Sequence, residues 1–208
     1  MRVNEIIKRL MVLAAGLFLL SFGVALSTVS GVGVSPSASV SYVFSRIAGL
    51  SMGTVSIFVN CLFVILQIIL LGRKYKPVRL LQLIVVFAFG YFTDLSLWLL
   101  RGVTLSALPL RLLVCISACM IEGLGMFLEV RAALITMASE GAIDVAARRT
   151  GLEFGKIKIF LDIMMVAVST TFSFLFLGRF EAVGIGTVIA AVLVGSTVRV
   201  LSRHQKVL

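Results

Sequence analysis

Long apolar runs separated by short polar and basic stretches dominate the chain. The runs fall near residues 10–29, 52–71, 79–100, 109–128, 157–177 and 183–200. Each is close to the roughly 20 residues a helix needs to cross about 30 Å of hydrocarbon. The pattern therefore predicts six membrane-spanning helices, of which the last is the shortest, Gly-rich, and bounded by Arg199. Two other stretches, 35–48 and 137–150, have helical spacing but are too short and polar to span, so they are expected to be interfacial or re-entrant. The first run follows Arg2, Lys8 and Arg9, as the core of a signal peptide would. A signal core is only about 7–15 residues long, so this run is expected to be a retained span.

The pattern also repeats. Residues 49–60 and 151–162, offset by 102, share Gly49/Gly151, Leu50/Leu152, Gly53/Gly155, Ile57/Ile159 and Phe58/Phe160, and set Asn60 against Asp162. Extending the register backward aligns Arg46 with Arg148, Val43 with Val145, Leu26 with Leu128 and Gly23 with Gly125. With three further loop residues, Gly90 meets Gly195. Each unit holds three spans, an odd number, so the second copy enters the membrane from the opposite side. The expected fold is an all-α polytopic bundle of about six transmembrane helices, built as two inverted three-helix repeats, with a short interfacial or re-entrant helix in each. It forms a single membrane domain over 1–208, with repeat 1 at about 1–105 and repeat 2 at about 106–208. Inverted repeats of this kind recur among secondary transporters.

Composition sharpens the reading. The chain of 208 residues is 60% hydrophobic and 13% charged, against about a quarter charged in soluble domains. Its net charge of +10 would suggest nucleic acid in a soluble protein, but the basic residues lie between apolar runs and read as topology instead. With the N-terminus inside, 15 basic residues fall on the cytoplasmic side, and only Arg46, Arg101, Arg111 and Arg179 fall outside. This bias favours six spans with both termini cytoplasmic. Cys61, Cys115 and Cys119 lie within apolar runs and read as small core residues. The lone histidine, His204, excludes His-based sites. No cofactor, metal or enzymatic chemistry is expected.

Ionisable groups within spans cost about 2.5–3.5 kcal/mol on insertion scales, so each is a candidate site. Asp94, Glu122 and Asp162 are such groups, and Asn60 is the counterpart of Asp162. Together they are expected to line a polar cavity between the repeats, where carboxylates would bind a cationic group or couple to protons. Asp94 and Glu122 could instead pair with Arg101, Arg111 or Arg131. Ser35-Pro36 predicts a helix start with exposed amides. The equivalent start near Ser139 carries Glu140 and Asp144, one turn apart, and would prefer a cation or proton. Both starts also read as ordinary capping. Gly186/Ala190 and Ala191/Gly195 give small-xxx-small spacing for close packing, within the bundle or in a homodimer. Trp98 reads as an interface anchor.

Gly16-Leu17-Phe18, Gly23-Val24-Ala25-Leu26, Gly33-Val34-Ser35-Pro36, Gly49-Leu50-Ser51-Met52-Gly53-Thr54 and Gly184-Ile185-Gly186-Thr187 together resemble the YczE/YitT-like family of bacterial membrane proteins. Ser37-Ala38 stands where that family often has Trp-Asp. The resemblance implies a multi-pass protein of the bacterial cytoplasmic membrane. The leading expectation is a small secondary transporter or exporter of an unidentified solute, with its site between the repeats near the midplane. The alternatives are a substrate-binding subunit of a larger transporter, although Ala14 followed by Phe18 breaks the Ala-xxx-Ala patch expected there, and a membrane scaffold or assembly factor.

Overall fold

The computed structural model describes residues 3–203, without the side chain of Arg203. The expectations for Arg2, His204 and Lys206 lie outside the described residues. Eight helices follow in order: α1 Val3–Ser30, α2 Pro36–Ala48, α3 Met52–Leu71, α4 Gln82–Leu100, α5 Leu108–Ala132, α6 Ala138–Thr150, α7 Phe154–Phe172 and α8 Ile185–Arg203. Two 3-10 turns, Gly72–Lys74 and Pro77–Leu81, join α3 to α4, and a π-turn, Ser173–Leu177, extends α7. Six helical stretches are long and apolar enough to cross a membrane: Val3–Ser30, Met52–Lys74, Pro77–Leu100, Leu108–Ala132, Phe154–Leu177 and Ile185–Ser202. The chain is an all-α, six-span membrane protein. Its sixth span is a full helix, and its first begins seven residues earlier than the apolar run.

Helix boundaries reproduce the repeat. Pro36 and Ala138 open helices of 13 residues each, and Met52 and Phe154 open the next pair, all at the offset of 102. Gly49 and Gly151 close α2 and α6 at φ 67° and 73°, left-handed values that a side chain would oppose. α1 and α5 cross at the centre, where a Cβ on Gly23 would lie 2.7 Å from Glu122 N and one on Gly125 2.3 Å from Leu20 N. α4 flanks α1 as α8 flanks α5, and the short helices are exchanged: α6 packs on α3, and α2 on α7. Hence α2 and α6 sit at opposite faces of the bundle, called here the α2 face and the α6 face.

Apolar side chains cover the outside as well as the core. Leu17, Leu20, Val24, Val43, Val85 and Phe89 are buried, whereas Leu62, Ile69, Phe87, Leu113, Ile163 and Val188 point outward. Hydrocarbon as solvent permits this. α7 is the least enclosed span, with 11% of its apolar window buried against 50% for α1.

Candidate functional site

A cavity of about 60 Å³ lies on the pseudo-two-fold axis, large enough for a few water-sized groups. Nine pairs of repeat-equivalent positions line it. They include Leu20/Glu122, Ser37/Ser139, Ala38/Glu140, Ser56/Lys158 and Asn60/Asp162; Phe89 and Met137 complete the wall. All four ionisable groups come from the second repeat, and their counterparts in the first are neutral.

Helix geometry sets these groups. Asn60 follows Ser56 by one turn of α3, and its Nδ2 donates to Ser56 O at 2.9 Å. Lys158 and Asp162 occupy the matching turn of α7, with Nζ 3.3 Å from Oδ2. Glu122 is 3% exposed, held where α5 crosses α1. Asn60 Oδ1, Glu122 Oε2 and Glu140 Oε2 are buried without a hydrogen-bonding partner among the described residues. Asn60 Oδ1 can only accept, so it calls for a donor, because an unpaired buried polar group costs about 1–3 kcal/mol. Burial pushes the Glu140 carboxyl above the usual carboxylate range, against the opposing pull of Lys158.

Of the sequence-predicted residues, Asn60, Glu122, Glu140 and Asp162 line the cavity. Ser35 is buried with its hydroxyl turned toward the Glu122 carboxyl. Asp94 does not reach the cavity, and this corrects the expectation. Its carboxylate accepts from Gly53 N at 2.7 Å and from Ser51 Oγ at 2.6 Å, binding the start of α3 to α4. Nor does it pair with Arg101, which lies over the Trp98 ring, or Arg111, which donates to Ser30 O and Gly31 O. Asp144 is held at the surface by Arg148 at 2.9 Å. Arg46, the counterpart of Arg148, instead reaches across to Glu181 at 3.3 Å. Burial and the Glu181 carboxylate raise the Tyr42 hydroxyl above its ordinary range at that junction. Cys115 and Cys119 are buried free thiols, as read from the sequence. Ala190 packs inward on α8, while Ala191 and Gly195 face out.

Three features escaped the sequence reading. Lys158, taken as a topological charge, belongs to the cavity. Glu129 is buried, accepts from Met137 N at 2.6 Å and lies against Glu140. Gln67 is fully buried; its Nε2 donates to Gln82 Oε1 at 2.9 Å and Ala138 O at 3.0 Å, and it accepts from Arg79 at 3.2 Å. The signal for Gln67 was visible, since an amide inside an apolar run needs partners.

The two faces differ in closure. At the α2 face the loops before α2 and α8 are zipped by Val34 N to Ala182 O at 3.1 Å and Gly186 N to Val32 O at 2.8 Å. At the α6 face the equivalent loops border a groove of about 700 Å³, with Leu134, Thr136, Arg79 and Leu81 in its wall. Glu140 lines both this groove and the cavity.

Fold and cavity together define a class: a six-span inverted-repeat membrane protein around an internal cavity that carries four ionisable side chains in a mainly apolar wall. The chain belongs to a family of unknown function, DUF6198, whose profile matches residues 7–203. No curated protein and no solved structure matches it.

Proposed function

We propose that this protein is a small secondary transporter or exporter, carrying a small solute with a cationic or donor-rich group through the cavity between its repeats. The observation that carries the reading is the cavity lining: nine equivalent pairs of positions surround a space on the symmetry axis, with Asn60, Glu122, Glu140, Lys158 and Asp162 among them. Cavities at the interface of inverted repeats are where such transporters hold substrate, and rocking of one repeat against the other moves access from face to face. The closed α2 face and the grooved α6 face fit one end state of that motion. On this reading the protein resides in the bacterial cytoplasmic membrane with both termini inside, in keeping with its YczE/YitT-like resemblance, and the α6 face is cytoplasmic. Asp162 and Glu122 would hold the cationic group, and Lys158 would balance the carboxylates when the cavity is empty. The reading as a subunit of a larger transporter has less support, because α1, the expected docking helix, is the most enclosed span.

The test is a screen of small amines, amino acids and inorganic cations for stabilisation of the purified protein, followed by uptake into proteoliposomes. A binding solute should raise the unfolding midpoint through its preference for the folded state. Asp162→Asn and Asn60→Ala should lower uptake of that solute by roughly tenfold or more, the loss expected when a charge-assisted contact worth about 1.5–3 kcal/mol is removed. Uptake equal to empty liposomes, with no stabilising solute, would sink the transport reading in favour of a scaffold.

A further inference from the structure

A second pocket, of about 500 Å³, lies at the α6 face, away from the cavity. The end of α3, the two 3-10 turns and the last turn of α6 bring Arg73, Lys74, Arg79, Arg148 and Arg149 together around Leu70. Among the described residues only one carboxylate, Asp144, pairs with any of these five, through Arg148. The C-termini of α3 and α6 contribute about half a negative charge each, which still leaves an excess of about three positive charges. Two of the arginines are held in place: Arg149 donates to Leu70 O, and Arg79 donates to Gln67. Arg73 and Lys74 are exposed and make no ion pair among the described residues. A positive-inside bias requires basic residues on one side of the membrane, not their convergence on one pocket.

We infer that this pocket is a binding site for a phosphate group, presented by the headgroup of an anionic phospholipid in the leaflet at the α6 face. Guanidinium forks match phosphate oxygens in geometry and charge, and basic pockets between transmembrane helices bind such headgroups. The apolar approach is also present. Phe58, Leu62, Ile65 and Ile69, each at least half exposed, form a stripe along α3 that ends at the pocket, a track for an acyl chain beneath the headgroup. A lipid seated there would tie the end of α6 to α3, and the start of α6 carries Ser139 and Glu140 into the cavity.

The experiment uses the full chain purified in detergent, with three additions compared: phosphatidylglycerol, phosphatidylcholine and inorganic phosphate. Phosphatidylglycerol should be retained preferentially in native mass spectrometry and should raise the unfolding midpoint, with phosphatidylcholine doing neither. The Arg73→Gln/Lys74→Gln double variant should lower phosphatidylglycerol retention by roughly tenfold. Both side chains are exposed, so its midpoint without lipid should match the wild type. A charge-matched control outside the pocket, Lys76→Gln/Lys156→Gln, should retain the lipid. Equal retention of the two lipids, or equal loss in the control and the pocket variant, overturns the site. If millimolar inorganic phosphate stabilises the protein as well as phosphatidylglycerol does, the lipid assignment falls and free phosphate is the occupant.

Discussion

The two repeats share a register but differ in closure and in charge. In the first, α3 and α4 meet at Gly53 and Gly90, so tightly that a Cβ on Gly53 would stand 2.0 Å from Gly90 O, with Asp94 fastening the contact. In the second, a Cβ on Gly155 or Gly195 would meet nothing within 4 Å. The equivalent of Asp94 is Arg199, exposed on α8. The first repeat gives the cavity neutral walls, and the second gives it Glu122, Glu140, Lys158 and Asp162. Shared glycines therefore fix where helices can approach, not whether they do. On the transport reading, the first repeat occupies the shut arrangement here and the second the open one, and exchanging the two arrangements turns access to the other face.

The comparison can be broken most forcefully at the glycines. Gly53→Ala should destabilise the protein by about 1–3 kcal/mol or more, as overpacking does. Gly155→Ala should cost nothing, and can gain up to about 1 kcal/mol of helix propensity. Thermal unfolding in detergent separates them, and equal losses would end the claimed asymmetry. Gly155→Leu sharpens it further: stability should hold, while proteoliposome uptake should fall if α7 and α8 must close in turn. Next in size is Asp94→Ala, expected to cost about 1–2 kcal/mol through loss of the contacts to Ser51 and Gly53 at the start of α3. Arg199→Gln, its mirror, should leave the midpoint unchanged. The smallest effect belongs to the arginine pair. Arg46→Gln should lose about 0.2–1 kcal/mol with its exposed bridge to Glu181. Arg148→Gln should lose no more than about 0.5 kcal/mol of an i,i+4 pair within one helix. A double-mutant cycle of Arg46 with Glu181 would measure the link between α2 and the loop before α8, and a coupling of zero would remove it as a fastener of the α2 face.

Much of the frame was legible because it is written in local spacing. Apolar runs gave the spans, and the offset between Gly49 and Gly151 gave the repeat to the residue, since left-handed helix ends keep their glycines. The juxtaposition of Asn60 and Asp162 followed from that symmetry. Asp94 was misjudged because its role depends on how closely α4 approaches the start of α3, a tertiary distance that no spacing encodes. Lys158 was misjudged because a charge one turn inside a helix end reads the same whether it faces water or a cavity. Gln67 answers in part to Ala138 O on α6, 71 residues on, and Glu129 lies against Glu140 on the same helix, pairings that become visible only when the chain is folded.

The exchange of short helices bears on how the molecule is made. α2 leaves the ribosome about a hundred residues before α7, the helix that covers it, and α3 waits as long for α6. Until then Gln67 has its first-repeat partners Gln82 and Arg79 but not Ala138 O, and a helix of 13 residues such as α2 cannot hold its place by spanning. Synthesis of the first half therefore supplies three spans and a short helix that already packs on α3, and the packing of α2 on α7 and of α3 on α6 waits for the second half. Each half thus completes its packing with a short helix of the other, and the two are joined as one bundle rather than set side by side.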